Sequence, residues 1–141
     1  MVKGDKSMIG EKVGSIPCQT TVKTGSAEDG RPVFEVSAQG AGTLCGAEVT
    51  SMASYTAKMQ ADGSLYGECP NAGVVMAADG VATFRATGAG SFTAEGGTSF
   101  RGVAYFQSQA PSLSALNGKA VVYSWEVDAA GAAAWELWEV V

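Results

Sequence analysis

The sequence predicts an all-β fold, an antiparallel up-and-down β-barrel of about eight strands. Turn dipeptides recur along the chain, and the runs between them alternate between apolar and polar residues. Val and aromatic residues supply most of the apolar bulk, with only five Leu and two Ile, and such residues favour strands. No segment has the i, i+3, i+4, i+7 apolar spacing of an amphipathic helix.

Turn residues mark the ends of the predicted strands. Asp-Gly and Asn-Gly supply the positive φ angles that hairpin turns require. The turn signals are Asp29-Gly30, Asp62-Gly63, Asp79-Gly80, Gly96-Gly97, Asn117-Gly118 and Asp128 to Gly131. The predicted strands are 16–24, 32–39, 43–60, 64–69, 73–78, 81–94, 98–109, 119–127 and 132–140. We expect the long run 43–60 to bend near Gly46.

Alternation within these runs indicates an antiparallel sheet with one apolar face. In the run 43–60, Val49, Tyr55 and Met59 share one face, while Thr50 and Thr56 lie on the other. Consecutive hairpins with this pattern are typical of antiparallel sheets. A sheet of about eight strands tends to close, because closure removes exposed edges. The segment 110–116, which contains a proline, is predicted to cross one end of the barrel as a loop or a helical turn.

Length and charge limit the domain organisation and the partners. With 141 residues the chain fits one domain, predicted as a barrel over 16–141 after a flexible segment 1–15. The net charge of −5 and pI near 4.6 argue against nucleic acid and an anionic membrane surface as partners. No signal peptide or membrane-spanning run is visible, so we expect a cytoplasmic protein.

The residue types exclude several chemistries. The chain has no histidine, which removes Ser-His and Cys-His nucleophilic pairs and histidine-ligated zinc. The three cysteines, Cys18, Cys45 and Cys69, form no Cys-x-x-Cys motif. We expect them to be buried thiols in a reducing compartment, with one disulfide or a reactive thiol as the alternative. No metal or cofactor is expected.

The lumen offers the most plausible site for a ligand. Many inward positions carry Ala, Gly or Ser, which fits either a narrow, filled barrel or one with a cavity. The scarcity of Leu and Ile favours the cavity.

The last strand places a carboxylate on each face, Glu136 on one and Glu139 on the other. A buried carboxylate needs a partner, and Arg85 and Arg101 are the candidates on strands, with tyrosines nearby. In the alternative interpretation the glutamates are solvated and the arginines form salt bridges at the rim. The predicted ligand-binding residues are Tyr55, Arg85, Arg101, Tyr105, Tyr123, Trp125, Trp135 and Glu139.

The C-terminal third resembles a known group of proteins. The segments that carry this resemblance are Phe100-Arg101-Gly102, Tyr105-Phe106-Gln107, Leu116-Asn117-Gly118, Trp125 to Asp128, and Trp135 to Glu139. Over residues 98–139 the chain is similar to small, uncharacterised bacterial β-barrel proteins, whose barrels resemble the calycin-like barrels of lipocalins and allene oxide cyclase. The resemblance implies a hydrophobic lumen and, in some members, cyclase chemistry. The lipocalin Gly-x-Trp motif is absent, because all three Trp lie after residue 124.

Three functional hypotheses follow. The first is a binding protein for a small apolar or aromatic ligand in the lumen, which a pocket below roughly 100–200 Å³ would contradict. The second is a cyclase or isomerase that uses a buried Glu, an Arg and tyrosines. The third is an interaction protein, expected as a homodimer, that uses the outer apolar residues Val103, Tyr105, Val122 and Trp138.

Overall fold

The protein is a closed, antiparallel, eight-stranded barrel in a computed structural model that describes residues 7–141. Each strand pairs with the next one in the sequence, and β8 pairs with β1 to close the cylinder. The strands are β1 (Ile9–Thr24), β2 (Val33–Leu44), β3 (Ala47–Met59), β4 (Leu65–Ala77), β5 (Gly80–Phe92), β6 (Thr98–Ser108), β7 (Val121–Val127) and β8 (Ala132–Val140). The predicted all-β up-and-down barrel is confirmed.

Alternation of side chains determines which residues fill the barrel. Along β5, Ala82, Phe84 and Ala86 are buried, whereas Thr83 and Arg85 between them are exposed. The same period of two recurs in the other strands, because successive strand residues point to opposite faces. The apolar core is therefore the inside of the cylinder.

The predicted division of the chain into strands was wrong in two places. The predicted run 43–60 contains a hairpin turn, since Cys45 and Gly46 both have positive φ (53° and 78°) between β2 and β3. The predicted strands 64–69 and 73–78 form one strand, β4. Its residues Pro70 to Ala72 bulge out of register with both β3 and β5, and Asn71 has a φ of 58°.

The first strand begins earlier than the sequence analysis indicated. β1 starts at Ile9, so residues 9–15 belong to the barrel wall and pair with β8. Irregular register between Ile9 and Gly14 hides the alternation there, which explains the late predicted start. Residues 1–6 of the predicted flexible segment lie outside the described part of the chain.

One end of the barrel, here called the plugged end, is closed by the connection between β6 and β7. This connection contains a short 3-10 helix, Ser114–Leu116, and buries Ala110, Leu113 and Leu116. The Asp79 carboxylate accepts hydrogen bonds from the backbone N–H (2.8 Å) and hydroxyl (2.6 Å) of Ser112, tying the plug to the β4–β5 turn. The structure thus shows the predicted segment crossing one end.

The opposite end, here called the mouth, is formed by four short connections, residues 25–32, 60–64, 93–97 and 128–131. None of them folds back over the opening as the plug does. The apolar side chains nearest this end are the most exposed inward-facing residues, with Val22 59% and Phe92 48% exposed. Within residues 7–141 no helix is long and apolar enough to cross a membrane.

Candidate ligand-binding site

An aromatic cluster occupies the middle of the barrel. Its rings come from strands β3 and β5 to β8 and meet edge-to-face or tilted, with centroids 5.0 to 6.4 Å apart. Such contacts stabilise beyond the apolar area that they bury. The cluster consists of Tyr55, Phe84, Phe100, Phe106, Tyr123, Trp125 and Trp135.

Glycines make room for these rings. A Cβ at Gly73 would lie 2.2 Å from the Phe84 ring, and one at Gly88 would lie 2.6 Å from the Tyr123 hydroxyl. Real Cβ atoms do not approach so closely, so these positions accept only glycine unless the ring moves. The segment Gly88-Ala89-Gly90 therefore allows the rings to pack in the lumen.

The hydroxyl groups of the two partly buried tyrosines of the cluster, Tyr55 and Tyr123, have hydrogen-bond partners. The Tyr55 hydroxyl accepts a 2.9 Å hydrogen bond from Trp125 Nε1, and the Tyr123 hydroxyl donates to the Thr87 carbonyl at 3.1 Å. Burial raises the pKa of both hydroxyls, and for Tyr55 the bond from Trp125 opposes the shift in part. Both phenols are therefore neutral at physiological pH.

The deep lumen is nearly filled. The space left beside the aromatic cluster is about 60 Å³, which holds about two water molecules at roughly 30 Å³ each. It is bordered by the thiols of Cys18 and Cys69 and, where β4 bulges, by the exposed Glu68. The sequence-based preference for a deep cavity was wrong, because the large rings fill the volume that the Ala and Gly positions leave.

The mouth contains a larger space. A cleft of about 230 Å³ opens there, lined mainly by apolar side chains and aromatic rings. Phe34 and Phe92 meet edge-to-face across it, with centroids 6.1 Å apart. Tyr55 and Phe100 border both this cleft and the deep lumen. The aromatic cluster thus forms the floor of an open apolar cleft.

The structure brings four of the predicted ligand-binding residues together inside the barrel. Tyr55, Tyr123, Trp125 and Trp135 all border the lumen and belong to the aromatic cluster. Tyr55 also reaches the mouth.

Three other predicted residues lie on the outer wall. Arg85, Arg101 and Tyr105 are exposed, and Arg101 pairs with Glu126 at 2.5 Å on the outside. Each lies between inward-facing neighbours, as Arg85 does between Phe84 and Ala86. Strict use of the alternation would have placed all three outside.

The glutamates of β8 are not buried. Glu139 lies on the inward face of β8, but at the strand's end by the plug, where Lys119 Nζ is 3.7 Å away. Glu136 points outward, with Lys12 Nζ at 2.6 Å and the Ser15 hydroxyl at 2.7 Å. Its desolvation acts to raise the pKa, but hydrogen bonds from Lys12 and Ser15 outweigh it and the pKa is lowered. Among residues 7–141, no Arg–Glu pair forms in the lumen.

Sequence reasoning missed the residues that shape the mouth, namely Val22, Phe34, Phe92 and Val127. All four lie near strand ends beside turns. The alternation along each strand places their side chains on the inward face. The turn signals and the alternation together contained this information. The turn signals and the alternation did not show which end of the barrel stays open.

The three thiols are free, and no two of them form a disulfide. Burial raises the pKa of Cys18 to about 11 and also raises the pKa values of Cys45 and Cys69. The neutral thiols are poor nucleophiles near pH 7. Within residues 7–141, no three Cys, Asp or Glu side chains group to hold a metal ion.

These features define a class of protein, a small eight-stranded up-and-down barrel with an aromatic core, one plugged end and one open end. The sequence matches no protein-family profile and no curated protein. Among the solved structures that share the fold are two bacterial proteins of unknown function, as the resemblance in the C-terminal third implied.

The first of these structures is a conserved protein from Rhodopseudomonas palustris. It has a TM-score of 0.77 and 14% sequence identity, and the match covers 96% of this chain and 100% of the other. The second, from Clostridium acetobutylicum, has a TM-score of 0.61 and 13% identity, and covers 93% of this chain and 98% of the other. At these identities the matches show the fold alone.

Proposed function

We propose that this protein binds a small apolar or aromatic molecule at the mouth of its barrel. The observation that carries the proposal is the asymmetry of the two ends. The plug fills one end with buried Leu113 and Leu116, while the other end keeps an open cleft of about 230 Å³ above aromatic rings.

Physical reasoning supports a ligand at this cleft. Barrel mouths are preferred ligand sites, and such sites are mostly apolar with few polar groups. Val22 and Phe92 are about half exposed, so the protein does not gain the free energy that their full burial would contribute. A bound apolar molecule would recover it. The cleft is small beside the ~300–1,000 Å³ of typical ligand sites, so the ligand is expected to have one to three rings.

No observation favours the cyclase or isomerase hypothesis. Within residues 7–141 the buried polar residues are Thr20, Ser51 and Ser108, and none is charged. Asp128 borders the mouth, but its Oδ1 already accepts hydrogen bonds from the backbone N–H groups of Ala130 and Ala132. The interior therefore lacks a paired acid and base.

The test is a titration with a neutral fluorescent probe, N-phenyl-1-naphthylamine, whose emission rises in apolar surroundings. Val22→Trp fills the mouth, and Val81→Trp makes the same change at an equally exposed valine (59% and 50%) near the plugged end. We expect wild type and Val81→Trp to bind alike, and Val22→Trp to bind at least about 10-fold more weakly, through overlap with the ligand. Absence of binding to wild type, or equal binding to both variants, would overturn the proposal.

A further inference from the structure

We infer that the mouth selects ligands by charge and takes an apolar or aromatic cation, such as a protonated or quaternary amine, in preference to an anion. This inference rests on the proposed function and specifies its ligand class. It depends on two independent features of the mouth, the charges on its rim and the rings on its walls.

The cations of the rim are already neutralised. Lys58 pairs with Glu28 at 2.7 Å, Lys23 with Glu35 at 3.5 Å, and Arg31 with Asp29 at 3.7 Å. All three pairs lie in or beside the β1–β2 and β3–β4 connections. A ligand carboxylate or sulfonate would compete with these carboxylates for the cations, and the group of this set without a hydrogen-bond partner within residues 7–141 is the buried Arg31 Nε.

Three carboxylates of the rim have no such partner. Asp62, Glu95 and Asp128 lie in three different mouth connections, and no cation of residues 7–141 comes within 4.0 Å of any of them. Asp62, Glu95 and Asp128 are all exposed to solvent. Three of the four mouth connections therefore carry a carboxylate without a cation beside it, and such charge attracts cations and repels anions.

The walls of the cleft suit the same ligand class. Phe34, Phe92, Tyr55 and Phe100 line it, and the faces of aromatic rings attract ammonium groups. A cation with an apolar body satisfies both features at once, because its charge can lie between the rim carboxylates and the outer rings of Phe34 and Phe92 while its body lies against the deeper rings of Tyr55 and Phe100. A fatty-acid carboxylate satisfies only the second feature.

The test compares three tricyclic ligands of similar shape and different charge. These are 9-aminoacridine, a cation near neutral pH, 9-anthracenemethanol, which is neutral, and 9-anthracenecarboxylate, an anion. Dissociation constants are measured by fluorescence anisotropy with the full chain. At about 0.02 M salt we expect the cation to bind at least roughly 10-fold more tightly than the anion, with the difference shrinking to about 2-fold at 0.5 M salt.

Two charge-reversal variants locate the effect. Glu95→Lys changes an exposed carboxylate at the mouth, and Glu48→Lys makes the same change near the plugged end, where Glu48 is also exposed. We expect Glu95→Lys to reduce the cation-to-anion preference about 3-fold or more and Glu48→Lys to leave it unchanged. Binding of the neutral ligand should be the same in both variants.

The outcomes separate the two proposals. If the neutral ligand binds at the mouth but cation and anion bind alike, the charge selectivity is wrong and the proposed function stands. If cation binding survives Val22→Trp, the cation binds elsewhere and the inference fails. If none of the three ligands binds, both proposals fail.

Discussion

The Trp125 indole donates a 2.9 Å hydrogen bond to the hydroxyl of Tyr55, a residue 70 positions away in the chain. The bond joins β7 to β3 across the lumen, and the two rings also meet edge-to-face with centroids 6.1 Å apart. Strands that are not neighbours in the barrel wall are thereby held at a set distance. This pair gives the mouth a rigid floor.

Loss of this bond should destabilise the fold. Tyr55→Phe keeps the ring but leaves the buried Trp125 N–H without its acceptor, which costs about 1–3 kcal/mol. Urea unfolding followed by far-UV circular dichroism measures the change. The control is Tyr105→Phe on the outer wall, where Tyr105 is 49% exposed, and we expect an effect below about 0.5 kcal/mol. Equal effects in the two variants would contradict the role of the bond.

A side chain at Gly73 should collide with the aromatic cluster. Gly73→Ala places a Cβ 2.2 Å from the Phe84 ring, and we expect a loss of about 1–3 kcal/mol in the free energy of unfolding. Phe84→Leu, which replaces the aromatic ring with a smaller aliphatic side chain, should relieve part of this clash. The double variant should then lose less free energy of unfolding than the two single variants lose together. If the losses simply add, the Phe84 ring is not what the new Cβ collides with.

The plug should contribute strongly to stability and little to the mouth. Leu113 is fully buried, so Leu113→Ala should cost about 2–5 kcal/mol. Val81→Ala, at a half-exposed valine near the same end, should change stability by less than about 1 kcal/mol. Because the plug and the mouth lie at opposite ends, the Leu113→Ala variant should bind N-phenyl-1-naphthylamine as wild type does under conditions where it is folded. A loss of binding there would show that the two ends are coupled.

The free energy of unfolding should fall at alkaline pH because the thiols, above all the partly buried Cys18, have raised pKa values. Burial raises the pKa of Cys18 from 9.0 to about 11. Below pH 9 the thiol is protonated in both the folded and the unfolded chain. Between pH 9 and about 11 only the unfolded chain has lost the proton, so the free energy of unfolding falls as the pH rises.

The measurement for this prediction is urea unfolding at several pH values from about 8 to 10.5. We expect the free energy of unfolding of Cys18→Ala to fall less steeply with pH than that of wild type. The fall that remains in this variant is due to the other groups whose pKa is raised. Ser51→Ala removes a buried side chain that borders the same space without titrating, and its profile should be parallel to that of wild type. Identical slopes for wild type and Cys18→Ala would contradict the assignment.

The homodimer stays a prediction, and the structure suggests which face to test. Val103, Val122 and Trp138 are cross-strand neighbours on the outside of β6, β7 and β8, and Lys12 Nζ lies 5.5 Å from the Trp138 ring. If this row forms the interface, Val122→Glu should convert a dimer to a monomer in multi-angle light scattering, while Thr83→Glu on the outside of β5 should not. A monomeric wild type would refute the dimer.

Alternation and turn chemistry were sufficient to predict the fold. A period of two assigns each residue to the inside or the outside, and Asp-Gly or Asn-Gly marks most hairpins. The turn at Cys45-Gly46 was missed because cysteine is not a typical turn residue, although its φ is positive. The bulge at Pro70 to Ala72 was interpreted as a strand break, because proline and asparagine are typical of both.

The site was less predictable than the fold. The alternation of side chains along each strand correctly implied that Tyr55 and Trp125 point inward. The same rule would have excluded Arg85 and Arg101 from the lumen. How much volume remains among the rings depends on how they interlock in three dimensions, which no pattern in the sequence reports. The closure of one end depends likewise on Leu113 and Leu116 folding back across the barrel.

The bulge in β4 weakens the barrel wall on both sides of one strand. Hydrogen-bonded pairing with both neighbouring strands is interrupted between Cys69 and Gly73, and Pro70 has no N–H to contribute. Local opening starts most easily where backbone pairing is already incomplete. Solvent would therefore enter through this bulge when the wall opens locally, which makes Cys69, the buried one of the three thiols, a reporter of transient opening.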